Sequence, residues 1–232
     1  MDNVFNRIVI AVPDLAVAIA QYEVLLGAVS FSCTVRGLPA AWLGLPNTIL
    51  ELVQDNVPQP VIRGLVFCSA AQGGAERPVA NSLQLDISLC NAQDTANFRR
   101  QQTQAQADGL RVDHLVLRTV DADACIALFA HELGIRLALD KTVPAWGGRM
   151  LFFRAGKLTL EVIESDKEPE GGNFFWGLAY QCQNLLQTQR ELTERGVALS
   201  EIREGRKPGT RVATIKDHCL GIPTLLLEPA RP

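Results

Sequence analysis

The chain has 232 residues, of which 47% are hydrophobic and 20% charged, and its formal net charge is −3. This composition is typical of a globular protein long enough to bury one large core or two smaller ones. The lack of a basic excess argues against nucleic acid, and no apolar run approaches the roughly 20 residues that a membrane-spanning helix needs. We therefore expect neither a nucleic-acid partner nor a membrane partner.

The N-terminus and the cysteines indicate a reducing compartment. Residues 1–3 are Met-Asp-Asn, which lack the basic flank and the long apolar core of a signal peptide. The six cysteines stand singly, without a Cys-x-x-Cys pair. This pattern is typical of reduced thiols that pack as small apolar groups. We expect a cytoplasmic protein.

Residues 7–53 predict a strand, a helix and three further strands. The β-branched apolar run at 7–12 indicates a buried strand. Asp14 is a suitable N-cap, and apolar residues follow at helical spacing until Gly27 ends the helix. Strands are predicted at 29–35, 40–45 and 48–53, with glycine and proline at the turns between them.

Residues 57–108 carry a weaker pattern. Strands are predicted at 61–68 and 82–89, while 71–77 is too rich in glycine for a helix. The glutamine-rich stretch 94–107 indicates a solvated helix or a linker. We interpret this region as a degenerate copy of the first unit.

The C-terminal half shows the same order of elements twice. Asp121 and Asn184 are the predicted N-caps of its two helices. An acidic, glycine-rich linker at 168–172 separates the two copies. The predicted strands are 113–119, 136–139, 149–154, 157–163, 176–182, 200–203, 211–216 and 223–227.

The sequence also matches itself at an offset of 107 positions. Residues 6–27 align without a gap on residues 113–134, and six of these 22 positions are identical. An internal repeat of this kind predicts an architecture of repeated units. We predict two domains, residues 1–105 and residues 109–232, each built from two units. The copies differ at one notable position, where Arg7 aligns with His114.

The order and spacing of several segments carry a family resemblance. These segments are Val112-Asp113-His114-Leu115-Val116-Leu117, Glu132-Leu133-Gly134-Ile135, Leu158-Thr159-Leu160-Glu161-Val162 and residues 192–197. They resemble the vicinal oxygen chelate superfamily, which includes glyoxalase I, the bleomycin-resistance proteins and the extradiol dioxygenases. The resemblance implies an α+β fold, in which tandem βαβββ units form two cupped, partly open, barrel-like domains with the helices outside. It also allows a homodimer in which two chains exchange units.

The resemblance implies His114 and Glu161 as metal ligands, because metal-binding members take ligands from the first and last strands of their units. Strand alternation supports this placement, since it puts His114, Val116 and Arg118 on one face, away from the helix. On the last strand, Glu161 points into the same cup. The ion would be divalent zinc, iron, manganese or nickel.

The neighbouring unit does not complete the ligand set. The alignment places Gly177 at the position of His114 and Leu226 at the position of Glu161. Glu228 shares a face with Leu226 and is expected near the rim. Two protein ligands are fewer than the three that catalytic zinc and non-haem iron require.

Other residues of the predicted site surround this pair. Arg118 and Glu161 are the predicted catalytic residues, and the inward charge of Arg118 should pair with Glu161 or with a ligand anion. The predicted substrate pocket consists of Val116, Trp146, Gly177, Leu226 and Glu228. Arg206 belongs to a basic hairpin that we interpret as a solvated turn.

Two functions follow from these residues, and a third possibility is a structural or regulatory subunit with an occluded cup. The first is a glyoxalase-like enzyme, a metal-dependent lyase, isomerase or dioxygenase in which an ion on His114 and Glu161 binds vicinal oxygens of a small organic substrate. The alternative is a metal-free protein of the bleomycin-resistance type that sequesters a small molecule. Gly177 and Leu226 favour the alternative, because they make half of the cup roomy and apolar.

The N-terminal half departs further from a metal site. Arg7 and Glu51 occupy the positions of His114 and Glu161. A guanidinium has no lone pair with which to bind a cation, but it can bridge a carboxylate. We expect an Arg7–Glu51 ion pair in place of a metal, with a structural role.

Overall fold

Strands dominate the molecule, as the sequence predicts. The computed structural model describes residues 4–69, 75–91, 93, 95–96, 98, 109–143, 148–165 and 172–230. Within these ranges the strands are β1 Val4–Val12, β2 Phe31–Val35, β3 Leu38–Gly44, β4 Ile49–Gln54, β5 Val61–Cys68, β6 Arg77–Pro78, β7 Asp86–Cys90, β8 Arg111–Thr119, β9 Arg136–Val143, β10 Gly148–Ala155, β11 Leu158–Glu164, β12 Phe174–Gln181, β13 Arg203–Glu204, β14 Arg211–Ile215 and β15 Thr224–Glu228.

Three helices begin where the sequence predicts. They are α1 Leu15–Leu26, α2, which runs from Ala122–Cys125 into a π-helical Ile126–Glu132, and α3 Leu185–Glu194. The side chains of Asp14, Asp121 and Asn184 each accept a hydrogen bond from the backbone N–H three residues later, as N-caps do. Gly27 ends α1 with a positive φ of 63°. The π-helical part of α2 was not foreseen.

The strands form one open mixed sheet. Its main path runs β2-β3-β4-β1-β5-β12-β8-β11-β10-β9, while β7 and β6 branch from β5, and β15, β14 and β13 branch from β12. The first and last strands of a unit pair in parallel, as β1 does with β4 and β8 with β11. This arrangement confirms the predicted α+β fold, with α1, α2 and α3 on one side of the sheet.

Units are joined in pairs through their first strands. β1 pairs antiparallel with β5, and β8 pairs antiparallel with β12. Each of these four strands carries a β-bulge, at Asn6, Arg63, Asp113 and Trp176 respectively. The four bulges stand at equivalent places in the two halves of the sheet. The repeat therefore extends beyond residues 6–27 and 113–134, where the sequence shows it, to β5 and β12.

Residues 57–108 keep more of the unit than their sequence suggests. β5 and β7 pair in parallel, as the first and last strands of a complete unit do. β7 begins at Asp86, four residues later than predicted. Residues 93, 95, 96 and 98 are helical, and most of the predicted helix or linker at 94–107 lies outside the described residues. The proposed boundary between two domains near residue 105 also falls there and stays a prediction.

The main hydrophobic core lies between the sheet and the helices. From β8 and β11 it includes Leu115, Leu117, Leu160 and Val162, all at most 1% exposed. Phe129 of α2 packs in the same core. The alternate residues of these strands therefore face the opposite side, which we call the cup. Among the described residues, no helix is both long enough and apolar enough to span a bilayer.

Candidate ligand site in the C-terminal cup

The two predicted metal ligands lie side by side in the C-terminal cup, the face of β8–β15 opposite α2 and α3. The parallel register of β8 and β11 sets Thr159 beside His114 and Glu161 beside Val116. His114 Nε2 is 3.5 Å from Glu161 Oε2. Both side chains remain partly exposed, at 20% and 16% respectively. The predicted proximity of His114 and Glu161 is thus present in the structure, while the role of the pair stays a prediction.

Asp113 is a site residue that the sequence analysis missed. It occupies the bulge of β8, and its Oδ2 lies 2.9 Å from His114 Nδ1. An ionised carboxylate can only accept, so His114 Nδ1 donates to Asp113, and Nε2 faces Glu161. The repeat contains the signal, because Asn6 precedes Arg7 as Asp113 precedes His114. Asn6 Oδ1 likewise accepts from Arg7 Nη1, at 3.0 Å.

The surroundings shift the pKa values of the two carboxyls in opposite directions, lowering that of Asp113 and raising that of Glu161. Burial raises the pKa of Glu161, and the nearby charges of His114 and Arg206 offset only part of this effect. Burial also acts to raise the pKa of Asp113, but the hydrogen bond and charge of His114, with Arg154 and Arg111, lower it overall. Arg206, which we interpreted as part of a solvated turn, is therefore close enough to Glu161 to act on it electrostatically.

The register of the last strand differs from the prediction by one residue. Leu178 pairs with Thr224 and Ala179 with Leu225, just as Leu115 pairs with Leu160 and Val116 with Glu161. Leu225, not Leu226, therefore occupies the position of Glu161.

Leu226 and Glu228 lie on the helix side of the sheet rather than in the cup. Leu226 is fully buried in the main core. Glu228 accepts from the backbone N–H of Leu185 at the start of α3, at 2.7 Å, and pairs with Arg211 at 2.6 Å. The prediction that they line the pocket is therefore wrong. The apolar sequence of β15 is compatible with either register, and the N-terminus of α3 attracts the carboxylate of Glu228.

Gly177 is equivalent in its unit to His114, as predicted, but backbone packing is the reason for glycine there. A Cβ on Gly177 would lie 2.5 Å from the carbonyl oxygen of Pro223. The equivalent Gly64 is blocked in the same way by the carbonyl oxygen of Asp86. The close approach of the backbone, and not the need for an open pocket, therefore requires glycine at these two positions.

The remaining predicted site residues have different environments. Val116 faces the cup and is 6% exposed. Arg118 donates to Ser165 Oγ at 2.7 Å and forms no ion pair with Glu161, contrary to one of our two expectations. Trp146 lies outside the described residues.

The donor set does not match a zinc or iron site. In the described part of the chain, no group of three or more His, Cys, Asp or Glu side chains is placed to hold a metal ion. His114 and Glu161 supply two donors, while Gly177 and Leu225 supply none from the neighbouring unit. Catalytic zinc and non-haem iron sites use three protein ligands. We therefore derive no step through a metal.

The N-terminal cup, formed by the corresponding face of β1–β7, is closed by an ion network. Arg7 Nε donates to Glu51 Oε2 at 2.7 Å, and Arg7 Nη2 also bonds to Glu76. Trp42 Nε1 donates to the same Glu51 oxygen at 2.8 Å. The side chains of Arg7 and Glu51 are only 4% and 2% exposed. The expected ion pair is present, and it fills the place where His114 and Glu161 face solvent in the other half.

Aromatic residues close the N-terminal cup further. The rings of Phe31 and Trp42 both contact that of Phe98, with centroids 5.9 and 5.5 Å apart. A second small core also lies on this face, formed by Val9, Ala11, Ala40, Val53, Val66 and Cys90. Among the described residues, the two hydrophobic clusters of the molecule are this one and the main core, so the C-terminal cup has no counterpart to it.

Comparison with known proteins agrees with this architecture. The whole chain superimposes on 95% of a variant of 4-hydroxymandelate synthase from Streptomyces coelicolor, with a TM-score of 0.74 and 14% identity. It also superimposes on 49% of a xylose isomerase-like TIM barrel/4-hydroxyphenylpyruvate dioxygenase fusion protein, with a TM-score of 0.67 and 12% identity over 100% of this chain. At such identities these matches show the fold alone. The sequence matches no curated protein significantly.

The paired units therefore define a protein of the vicinal oxygen chelate fold. Residues 113–214 match the model of the Glyoxalase/Bleomycin resistance protein/Dioxygenase superfamily. This matched part of the chain is similar to that superfamily, and it includes the Asp113–His114–Glu161 group.

Replacement of Arg7 should test the closed N-terminal cup. Arg7→Met leaves the carboxylate of Glu51 buried without its cation, which typically costs about 3–5 kcal/mol. We expect this loss in the free energy of unfolding, measured by urea denaturation. The double variant Arg7→Met/Glu51→Met should recover part of it. Losses that simply add would contradict a coupled ion pair.

Replacement of Glu161 should make stability depend differently on pH. A carboxyl whose pKa is raised on folding opposes folding once the unfolded chain ionises, and the cost grows until the folded pKa is passed. Glu161→Gln removes this cost, so its stability relative to the wild type should rise as the pH increases from about 4, where a free glutamate begins to ionise. Thermal unfolding measures the difference, and Glu194→Gln controls for the lost charge. A relative stability that falls with pH would contradict the assignment.

Proposed function

We propose that the C-terminal cup binds a small organic molecule without a protein-held metal, and that His114 and Glu161 are its polar contacts. The observation that carries this proposal is the contrast between the two cups. The N-terminal cup is closed by the Arg7–Glu51 pair, whereas the equivalent His114–Glu161 pair is partly exposed. The match of residues 113–214 to the Glyoxalase/Bleomycin resistance protein/Dioxygenase superfamily supports a small-molecule ligand in general terms.

The walls of the cup suit an organic ligand. Phe152 pairs with Glu161 and Ile163 with Arg118, so both apolar side chains share the cup face with the polar pair. Leu225 and Leu227 are partly buried on β15, on the face opposite the core residue Leu226. Binding sites for small molecules combine predominantly apolar walls with a few converging polar groups.

The polar pair offers two hydrogen-bonding groups. Asp113 holds the proton on His114 Nδ1, which leaves Nε2 to accept a hydrogen bond or a proton. The Glu161 carboxyl lies 3.5 Å from Nε2, and burial raises its pKa. A ligand with a hydroxyl beside a carbonyl could contact both groups. The same geometry would permit proton transfer between neighbouring ligand atoms.

A metal-dependent lyase, isomerase or dioxygenase is the second candidate. One observation favours it: a carboxylate on the second nitrogen of a histidine is the usual arrangement around a metal-binding histidine. Asp113 and His114 have this arrangement. Such a site would need further ligands from substrate or water in addition to His114 and Glu161.

Metal content separates the two candidates. Protein purified without an affinity tag should contain far less than one zinc, iron, manganese or nickel ion per chain, as measured by plasma mass spectrometry. His114→Ala is the matched control, since it removes one of the two donors. One ion per chain in the wild type that is lost in His114→Ala would establish the metal-dependent candidate instead.

Binding of a neutral apolar probe tests the cup itself. N-phenyl-1-naphthylamine should fluoresce on binding to the wild-type protein, and Leu225→Trp should weaken binding by about tenfold or more, because the larger ring enters the cup. Leu186→Trp, at an exposed position of α3, is the matched control and should bind as the wild type does. Equal binding by both variants would show that the probe does not occupy the cup.

The domain division, the cellular location and the oligomeric state of the chain are also proposals. We propose two domains that divide between residues 105 and 109, a cytoplasmic location and a homodimer. None of the six cysteines forms a disulfide bond, which supports a reducing compartment.

A further inference from the structure

We propose that the ligand of the C-terminal cup is an organic anion, and that Arg118 binds its acidic group at the opposite end of the cup from His114. This inference rests on the proposed function and adds the chemical class of the ligand. It also makes Arg118 a residue that determines specificity.

The environment of Arg118 is the first argument. Its guanidinium is partly buried and donates to the neutral hydroxyl of Ser165 at 2.7 Å. Among the described residues, no carboxylate forms an ion pair with it. Arg63 and Arg149, whose side chains are 33% and 27% exposed, do pair with aspartates. A cation that loses hydration without an acidic partner is costly, and a bound anion would remove that cost.

The charge of the surrounding face is the second argument. Arg154 lies on β10 beside Thr159 and bonds to its hydroxyl, so it belongs to the same cup face as Arg118. The charge of Arg206 also acts on Glu161. The acidic groups on which the charges of Arg154 and Arg206 act are Asp113, which is engaged with His114, and Glu161 respectively. A concave face with such a cationic excess attracts anions and raises their local concentration.

The spacing of the polar groups gives the ligand a length. His114 and Arg118 are four residues apart on β8, which corresponds to about 13 Å between their Cα atoms. Between them the cup face presents the apolar Val116 with Glu161 beside it, and the apolar Ile163 lies beside Arg118. The matching ligand therefore has an acidic group at one end, a neutral hydroxyl or carbonyl at the other, and an apolar body between them. A planar guanidinium can hold a carboxylate or sulfonate through two parallel hydrogen bonds.

A pair of probes that differ by one anionic group tests this inference. 8-Anilino-1-naphthalenesulfonate carries the anion, and N-phenyl-1-naphthylamine is the same ring system without it. The wild type should bind the sulfonate more tightly than the neutral amine at low salt. Arg118→Gln should weaken sulfonate binding by about tenfold, a typical effect for one charge-assisted contact, and change amine binding less than twofold.

Control variants exclude general effects of charge. Arg190→Gln removes an exposed arginine on α3, outside the cup, and should leave binding of both probes unchanged. Arg118→Lys keeps the charge but not the planar fork, so its sulfonate affinity should lie between those of the wild type and Arg118→Gln. Thermal unfolding establishes that each variant is folded at the assay temperature.

The outcomes distinguish the inference from the proposal on which it rests. If the neutral amine fails to bind the wild type, or binds Leu225→Trp equally well, the proposed cup site is wrong. If the amine binds in the cup and Arg118→Gln binds the sulfonate as tightly as the wild type, the site stands and the role of Arg118 is wrong. Equal losses for Arg118→Gln and Arg190→Gln would reduce the effect to net charge and would also overturn the inference.

Discussion

The parallel pairing of the first and last strands of a unit determines what the cup contains. Because the two strands are direct neighbours in the sheet, the pairing brings one side chain from each strand close together on the face opposite the helix. The β-bulge in the first strand then supplies a third side chain, which orients the first. Arg7, Glu51 and Asn6 occupy these positions in one half, and His114, Glu161 and Asp113 occupy them in the other. The same backbone therefore presents two different chemistries.

The difference between the halves follows from the residue at one position. A guanidinium at position 7 donates to several acceptors at once, so it draws Glu51, Glu76 and Asn6 into a buried network. An imidazole at position 114 has only two nitrogens. One is bonded to Asp113, and the other is left facing Glu161 across 3.5 Å. The first arrangement satisfies its charges internally, whereas the second leaves hydrogen-bonding capacity for a ligand.

The sequence predicts most of the fold because its signals are local. Caps at Asp14, Asp121 and Asn184 and the alternation around His114 depend on neighbouring residues, and the structure agrees with them. The register of β15 could not be derived from the sequence. Residues 224–227 are Thr-Leu-Leu-Leu, so both faces of the strand are apolar and no alternation shows which residues face the helices. Bulges depend on the partner strand, so the place of Asp113 beside His114 was hidden as well. The pairing of His114 with Glu161 was predictable because the repeat aligned both strands of the unit.

The second unit of each half could not have kept a histidine at this position without moving its backbone. Gly64 faces the carbonyl oxygen of Asp86, the first residue of β7, and Gly177 faces that of Pro223, just before β15, at distances that exclude any side chain. The two halves share this constraint, so a complete set of ligands from two units is incompatible with the packing of either. What remains is a single polar pair on an apolar face. In the N-terminal half that pair is neutralised within the protein, and in the C-terminal half a carboxyl is buried at an electrostatic cost. A protein tolerates such a cost most readily where the group has a function, which is why the C-terminal cup is the site to test.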